Sequence, residues 1–232
     1  MQMTIVFPPL YAIIDAALLK TSELSFAEMM AESGVEILQY RGKQATSRQL
    51  FEVCALLARQ WPCLAGKSPR PPRFVVPRFI VNDRPDIARL TGAGGVHVGQ
   101  NDLGVEETRA IVGPDCWVGV STHTLEQVAA ADQTSADYVA FGPIFPTATK
   151  VAADPVVGLD LLSRARRRTT KPLVAIGGIT LERAEDTYRA GADSLAVTRD
   201  LLTAADPGAR AQAFLQAAAR VAHPIRGSSA PR

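Results

Sequence analysis

The chain has 232 residues, 47% of them hydrophobic, and its 25 basic and 23 acidic residues leave a net charge of only +2. This near-neutral balance argues against nucleic acid as the main partner, because nucleic-acid binding favours a strongly basic surface. The length and apolar content suffice for one well-packed core, although two small domains also fit the length alone.

The three cysteines are an odd number without CxxC spacing, which fits reduced thiols rather than a disulfide framework. Residues 1–10 lack the basic segment and apolar stretch of a signal peptide. No segment approaches the ~20 apolar residues needed to cross a bilayer. The sequence therefore predicts a cytoplasmic protein that does not enter the membrane.

Short apolar runs rich in β-branched residues alternate with segments whose apolar residues recur at helical spacing. The predicted strands are 11–14, 35–39, 78–81, 95–98, 117–120, 138–141, 173–176 and 194–197. The predicted helices are 26–33, 47–60, 85–91, 105–112, 125–131, 159–167 and 181–190, with an eighth over about 201–221 that is interrupted at Pro207.

Eight βα units of this size predict an α/β protein with a single (β/α)8 TIM barrel over residues 1–222. The main alternative is an open doubly wound sheet, which usually carries one glycine-rich loop, whereas here polar residues follow nearly every strand. Residues 61–77 are rich in Pro, Arg and Lys and predict a surface insertion, and residues 223–232 predict a flexible tail.

Residues directly after the strands of a barrel gather at one end. After the second predicted strand, Gln39, Arg41 and Lys43 alternate with Tyr40 and Gly42, so at strand spacing the three polar side chains point to one side. An amide, a guanidinium and an ammonium group that converge predict a site for an anion and a heterocycle, in preference to a solvated strand end.

Two carboxylates follow the third and fourth predicted strands, namely Asp83 and Asp102. Because these strands are neighbours, the pair is expected beside the cationic site. Oxygen ligands with few protein contacts are typical of Mg²⁺ bound to phosphate oxygens. The alternative is an acid–base pair, which requires surroundings that raise a carboxyl pKa.

The later strand ends also carry groups that suit phosphate. Ser121 follows the fifth predicted strand, where a hydroxyl at a helix N-terminus favours an anion. His123 beside it is either a general base or a structural hydrogen-bonding group. The loop after the sixth strand offers two hydroxyls and a fixed charge, and the loops after strands seven and eight are the usual phosphate cradle of a barrel. Their polar and glycine residues are Thr147, Thr149, Lys150, Gly178, Thr198 and Arg199.

Taken in order, these segments resemble the thiamine phosphate synthase family from about residue 10 to residue 202. The resemblance is carried by QYRGK at 39–43, VNDRPD at 81–86, HVGQND at 97–102, GVSTH at 119–123, GPIFPTATK at 142–150, AIGGI at 175–179 and GAD at 191–193. It implies coupling of 4-amino-2-methyl-5-hydroxymethylpyrimidine diphosphate to 4-methyl-5-(2-phosphooxyethyl)thiazole, with thiamine monophosphate and pyrophosphate as products.

The resemblance also implies roles for individual residues. Positions matching the pyrimidine diphosphate site are Gln39, Arg41, Lys43, Asn82, Ser121 and Lys150. Positions matching the thiazole phosphate site are Thr147, Thr149, Gly178, Thr198 and Arg199. Asp83 and Asp102 match Mg²⁺ ligands, and Lys150, Arg41 and Lys43 are expected to stabilise the leaving pyrophosphate. The implied partners are small phosphorylated molecules, with neither nucleic acid nor membrane, and a homo-oligomer remains open.

Two adjacent positions depart from the family pattern, which usually has a small aliphatic residue and a serine where this chain has Thr198 and Arg199. Arg199 is expected either to contact the thiazole phosphate or to turn outward to solvent. Three alternatives remain, namely a thiazole tautomerase with a base at His123, another phosphate-binding barrel, and a non-catalytic ligand-binding protein. Asp83, Asp102 and the Pro-Thr-x-Thr-Lys segment favour the synthase.

Overall fold

Eight parallel strands close into a barrel in chain order, each hydrogen-bonded to its sequence neighbour and β1 to β8. This is seen in a computed structural model that describes residues 7–65, 77–147 and 155–221. The strands are β1 Leu10–Asp15, β2 Ile37–Arg41, β3 Arg78–Asn82, β4 Gly95–Val98, β5 Trp117–Thr122, β6 Tyr138–Phe141, β7 Leu173–Ile176 and β8 Ser194–Val197. The predicted TIM barrel is therefore confirmed.

Helices follow the strands and cover the outside of the barrel. They are α1 Glu23–Glu32, α2 Ser47–Ala65, α3 Pro85–Thr91, α4 Val105–Val112, α5 Leu125–Asp132, α6 Gly158–Arg166, α7 Leu181–Arg189, α8 Arg199–Leu202 and α9 Pro207–Arg220. The interruption predicted at Pro207 is confirmed, because Pro207 begins α9 and Asp206 caps it by accepting a hydrogen bond from Ala209 N at 2.9 Å.

Two predicted boundaries differ from the structure. The second strand begins at Ile37 rather than at residue 35, because Val35 N bonds back to Met30 O at 3.0 Å and so completes the turn after α1. The insertion predicted from Trp61 begins too early, since α2 continues to Ala65 and the Trp61 side chain is fully buried. Residues 66–76 and the predicted tail at 223–232 lie outside the described residues.

The barrel strands divide their side chains between two apolar layers. Along β1, Tyr11 and Ile13 face the barrel interior, while Leu10, Ala12 and Ile14 pack under the surrounding helices. The interior layer consists of Phe7, Tyr11, Ile13, Ile37, Ile80, Trp117, Tyr138, Ala140, Val174 and Ala196. This layer places two phenol groups directly below the mouth of the barrel.

Cys54 and Cys116 are free thiols, as the sequence predicts. Burial raises the pKa of Cys54 to about 12 and that of Cys116 to about 11, so neither is a thiolate at neutral pH. Among the helices of the described ranges, none is both long and apolar enough to span a membrane.

Candidate active site

The carboxyl ends of the strands surround a cavity of about 370 Å³. Predicted site residues on its wall are Gln39, Arg41, Ser121, Thr147, Gly178, Thr198 and Arg199. They come from the ends of β2, β5, β6, β7 and β8, because every parallel strand in a closed barrel ends at the same rim. The structure therefore brings residues from both predicted sets to the wall of one cavity.

The amide groups predicted to hold the pyrimidine lie side by side. Gln39 Nε2 donates to Asn82 Oδ1 at 3.0 Å, and the Tyr11 hydroxyl donates to Gln39 Oε1 at 2.6 Å. Gln39 is only 4% exposed, so these bonds fix its amide in a largely dry environment. The position of Gln39 on the inward face of β2 is as predicted.

Ser121 stands on strand β5, and the prediction that it lies at a helix N-terminus is wrong. The strand continues to Thr122, and the next helix is capped by Thr124, which accepts from Gln127 N at 3.2 Å. The Ser121 hydroxyl instead lies 2.9 Å from His97 Nε2 inside the barrel. This placement leaves Ser121 on the wall of the cavity together with Gln39.

Charged residues form a rim next to this polar floor. Arg41 pairs with Asp15, whose side chain is buried at the end of β1, and Lys43 pairs with Asp83 at the end of β3. Lys43 stands beyond the end of β2, with about half of its side chain exposed. The predicted cationic group therefore exists, with each cation held in place by a carboxylate.

Asp83 has a backbone φ of 61°, the left-handed conformation that residues other than glycine rarely adopt. Its N–H donates to His97 O at 2.8 Å, which ties the end of β3 to β4. This conformation turns the chain sharply at the strand end and leaves the carboxylate beside Lys43. A strained residue held by its neighbours at such a position is typical of functional sites.

Asp102 lies within electrostatic reach of Asp83. Its pKa is raised above the ordinary value, chiefly because burial removes water, and the neighbouring Asp83 carboxylate adds to the rise against a hydrogen bond from Gly99 N at 2.7 Å. Two oxygen-donor carboxylates at close range fit a hard divalent cation such as Mg²⁺. No group of three or more His, Cys, Asp or Glu side chains that could hold a metal occurs in the described part of the chain.

The loops after β6 and β7 are bonded to each other. Ile144 N donates to Ile176 O at 2.9 Å, and Phe145 N donates to Gly177 O at 3.0 Å. Gly178 has a φ of +63°, and a Cβ there would lie 2.5 Å from Pro146 O, so only glycine fits. Thr147 joins the cavity wall from this junction, while Thr149 and Lys150 lie outside the described residues.

Arg183 is a cavity residue that the sequence reasoning missed. It belongs to the first turn of α7, stacks at 4.5 Å over the Phe145 ring and donates to Gly178 O at 2.8 Å. With Arg199 it places two guanidinium groups on the wall near Thr198 and Gly178. The available signal was a cation early in the helix that follows the glycine pair. The prediction from the sequence rests on residues directly after the strands, so it did not include this helix.

His123 connects the loop after β5 to the loop after β6. Its Nδ1 lies 2.6 Å from Gly142 O, and since a carbonyl can only accept, Nδ1–H is the donor. Its backbone N–H donates to Gln127 Oε1 at 2.7 Å. These contacts agree with the structural alternative for His123.

Tyr11, His97 and Tyr138 were also missed as polar members of the site. The hydroxyls of Tyr11 and Tyr138 are 2.9 Å apart, and His97 Nδ1 is 3.1 Å from the Tyr138 hydroxyl. They join Gln39 to Ser121 beneath the cavity. Tyrosine and histidine within apolar strands could have indicated these polar residues. In a sequence, however, the same residues are equally typical of side chains that only pack in a core.

A closed (β/α)8 barrel with cations, paired carboxylates and a glycine cradle at the strand carboxyl ends defines an enzyme of the phosphate-binding barrel class. The family described as thiamine monophosphate synthase matches residues 10–201. The chain belongs to that family.

Similar proteins cover nearly the whole chain. The thiamine-phosphate synthase of Koribacter versatilis is 45% identical over 214 residues, which cover 90% of this chain and 95% of that protein. The thiamine-phosphate synthase of Methanocella arvoryzae is 37% identical, covering 88% and 91%. The structure of a thiamine phosphate pyrophosphorylase from Pyrococcus furiosus is 28% identical, with a TM-score of 0.79 over 92% of this chain and 96% of that one.

Proposed function

We propose that the chain is a thiamine-phosphate synthase, a transferase that joins hydroxymethylpyrimidine diphosphate to thiazole phosphate with release of pyrophosphate. The observation that carries the proposal is the neighbouring Asp83–Asp102 pair with Lys43 at the carboxyl ends of the strands, the end of the barrel where Arg41 and the Gly178 loop line the cavity. A proposed diphosphate site and a proposed second phosphate site at the same end of the barrel fit a reaction between two phosphorylated molecules. Membership of the thiamine monophosphate synthase family supports the same conclusion.

The pyrimidine ring is proposed to lie over the floor formed by Gln39, Asn82 and Ser121. These groups are polar and uncharged, and Gln39 and Ser121 face the cavity. They can pair with the edge of a heterocycle through hydrogen bonds of fixed direction. This orients the CH₂–O bond of the substrate toward the charged rim.

The diphosphate is proposed to lie at that rim. Asp83 and Asp102 would hold Mg²⁺, which would supply positive charge to the phosphate oxygens. Arg41 and Lys43 add fixed cations from the protein, and Lys150 is proposed to reach the same group from the loop after β6. All of these interactions strengthen as negative charge accumulates on the departing pyrophosphate.

The reaction is proposed to begin with cleavage of the CH₂–O bond, whose electron pair leaves with the pyrophosphate. The electron-rich aminopyrimidine stabilises the resulting cation, and the thiazole nitrogen then donates its lone pair to the same carbon. No protein nucleophile and no strong base are required. The contribution of the chain is to align two substrates and stabilise the leaving group, which agrees with the lack of a Ser-His-Asp set among the described residues of this cavity.

The thiazole phosphate is proposed to bind at the junction of the β6, β7 and β8 loops. Thr147, Thr149 and Thr198 supply hydroxyls, and Gly178 lets backbone N–H groups approach the phosphate closely. Arg199 and Arg183 add charge at this end of the cavity. The rigid contact between the β6 and β7 loops would hold this phosphate at a fixed distance from the reacting carbon.

The tautomerase alternative depends on His123 as a base. The Nδ1–H bond to Gly142 O anchors the His123 ring but leaves Nε2 as its basic atom, so this contact does not decide between the two functions. The paired aspartates do favour one of them, because they would have no function in an isomerase. We therefore favour the synthase, acting in the cytoplasm on small phosphorylated molecules. Assembly into a homo-oligomer stays a prediction.

The proposal is tested by pyrophosphate release with both substrates present, with and without Mg²⁺. We expect release only when both substrates and Mg²⁺ are supplied. Tautomer conversion of the thiazole that is lost in His123→Ala, without pyrophosphate release, would support the isomerase instead.

The role of Lys150 is tested by Lys150→Ala. Loss of a charge at the leaving group should lower kcat by roughly 100-fold while the KM for thiazole phosphate changes little. Arg48→Ala, which removes a positive charge from the exposed face of α2, serves as the matched control. An effect confined to the KM for thiazole phosphate would move Lys150 to the other subsite.

A further inference from the structure

Six side chains at the floor of the cavity form one continuous chain of hydrogen bonds. In order they are Asn82, Gln39, Tyr11, Tyr138, His97 and Ser121, joined by distances of 3.0, 2.6, 2.9, 3.1 and 2.9 Å. The members come from strands β1 to β6, so the chain crosses the barrel interior. Each link constrains the next, because a hydroxyl has only one proton to donate.

The direction of donation along this series of hydrogen bonds follows from the Gln39 amide. Its Oε1 accepts the Tyr11 proton, while its Nε2 donates to Asn82 Oδ1. Since the Tyr11 proton is thereby used, the Tyr11 oxygen must accept from Tyr138 across their 2.9 Å contact. The Tyr138 proton is then used in the same way.

The same direction of hydrogen-bond donation continues through the His97 imidazole. The Tyr138 oxygen can only accept from His97, so His97 carries its proton on Nδ1. In a neutral ring Nε2 is then an acceptor, and the Ser121 hydroxyl must donate to it. Ser121 therefore offers only oxygen lone pairs to the cavity.

The packing around Tyr138 keeps this chain in one arrangement. Tyr138 is fully buried and Tyr11 is 2% exposed, so water does not compete for their hydroxyls. Burial raises the pKa of both phenols well above the usual value, which keeps them protonated. The Tyr138 ring fits only because residue 119 is glycine, since a Cβ there would lie 2.0 Å from Tyr138 Cζ.

We propose that Tyr138 is a positioning residue that fixes the hydrogen-bonding pattern of the pyrimidine subsite. Through Tyr11 it holds the Gln39 amide with its second N–H as a donor, and through His97 it holds Ser121 as an acceptor. This pair is complementary to a ring nitrogen that accepts beside an amino group that donates, as in a 4-aminopyrimidine. It opposes a 4-oxopyrimidine, in which the two roles are exchanged.

The first experiment concerns His97 alone and needs no substrate. The chain has three histidines, so ¹⁵N–¹H correlation spectra of histidine-labelled protein are readily assigned with a His123→Asn variant. We expect a neutral His97 ring protonated at Nδ1 in the unsubstituted protein, and loss of that single form in Tyr138→Phe. A ring protonated at Nε2, or at both nitrogens, would overturn the proposal.

The second experiment depends on the proposed function and measures specificity. In Tyr138→Phe we expect the KM for the pyrimidine diphosphate to rise about tenfold, the loss of one oriented hydrogen bond, with the KM for thiazole phosphate unchanged. The ratio of the inhibition constant of the 4-oxo analogue to the KM of this substrate should fall by a similar factor. Tyr11→Phe, which breaks the chain one link away, should give the same pattern and covers the case in which Tyr138→Phe does not fold.

Tyr188→Phe is the matched control, because its hydroxyl is also buried but bonds Pro9 O at 2.8 Å, away from the cavity. It should change neither the His97 spectrum nor the preference for the amino ring. If Tyr138→Phe lowers kcat for all substrates equally and keeps the Nδ1–H form, Tyr138 has only a packing role. Absence of pyrophosphate release from the unsubstituted protein would refute the proposed function, whereas the His97 spectrum would still decide the direction of the chain.

Discussion

Asp83 combines three features at a single residue, a left-handed backbone, an ion pair with Lys43 and a second carboxylate nearby at Asp102. Each of these is unfavourable or neutral for folding by itself. Together they place negative charge where a cation and a diphosphate are proposed to bind. The energetic cost at Asp83 is therefore understandable as the cost of a preorganised site.

Asp83→Asn should separate this role from a structural one. Asparagine tolerates the left-handed conformation, so we expect the fold to be retained, while kcat for pyrophosphate release falls by roughly 100-fold or more because a metal-binding charge is lost. The measurement is activity across a Mg²⁺ titration, with Asp186→Asn on the exposed side of α7 as the control. Full activity at millimolar Mg²⁺ would show that Asp83 is not a principal ligand.

Arg199, which the sequence places either at the thiazole phosphate or turned to solvent, lies on the cavity wall. If its guanidinium contacts the thiazole phosphate, Arg199→Ser should raise the KM for that substrate about tenfold or more and leave kcat nearly unchanged, since a charge-assisted hydrogen bond contributes ~1.5–3 kcal/mol. Steady-state kinetics with Arg189→Ser, an exposed arginine on α7, give the comparison. An unchanged KM would mean that the Arg199 side chain points to solvent and does not contact the thiazole phosphate.

At the scale of elements, most residues that line the cavity lie at or beyond the carboxyl ends of the strands rather than at their centres. The sequence placed β2 two residues early, yet Gln39 and Arg41 both line the cavity, because alternation fixes the face of a strand independently of its exact limits. The contact between the β6 and β7 loops was not predicted. It depends on hydrogen bonds between residues 144–145 and 176–177, which are distant in sequence.

Gly178→Ala tests the element that holds the thiazole phosphate. The new methyl group would collide with Pro146 O and would also require a strained backbone, so we expect a loss of more than ~1 kcal/mol of stability together with a higher KM for thiazole phosphate. The matched control is Gly92→Ala, because Gly92 has a nearly equal φ of +66° but no atom within 4 Å of the added Cβ.

The comparison of the two glycine variants isolates crowding from backbone strain. Chemical denaturation and substrate kinetics on both proteins are the measurements. Gly92→Ala should lose stability alone, by about 1 kcal/mol, with its KM values unchanged. Equal behaviour of the two variants in both assays would show that the β6–β7 junction does not position the phosphate.

At the scale of the whole molecule, the rim opposite the cavity carries bonds that join successive βα units. Asp132 at the end of α5 accepts from Thr169 Oγ1 at 2.6 Å and from Thr170 N at 2.9 Å. Lys171 Nζ donates to Thr134 O and Ala136 O at 2.9 and 2.7 Å. Because these bonds stabilise the barrel at this rim, the opposite rim is left for chemistry, a division that is typical of this fold.

Asp132 should make stability depend on pH in a defined direction. Burial raises the pKa of its carboxyl, but the hydrogen bonds from Thr169 and Thr170 outweigh that effect, and the pKa lies below the ordinary 3.8. The stabilisation is therefore present above about pH 4 and is lost as the pH falls through the lowered pKa.

Asp132→Asn removes this ionisation with little change in shape. We expect the variant to be about 0.5–1 kcal/mol less stable at pH 7, with the difference shrinking as the pH approaches 3. Urea denaturation between pH 3 and pH 7 is the measurement, and Asp115→Asn in an exposed loop is the control. A difference that is constant across this range would assign the effect to the amide substitution rather than to the charge.

The sequence by itself predicted the barrel and the residues that its strand ends bring together. Eight apolar strands separated by helices have one closed parallel arrangement, and parallel strands must bring residues such as Gln39, Asp83 and Gly178 to the same end. Tertiary structure alone decided which side chains meet across the interior. Tyr138 reaches His97 and Tyr11 because closure and strand register set them opposite one another, with Gly119 beside Tyr138 in the β5–β6 ladder. Alternation gives the face of each strand, but only the closed register gives its partners.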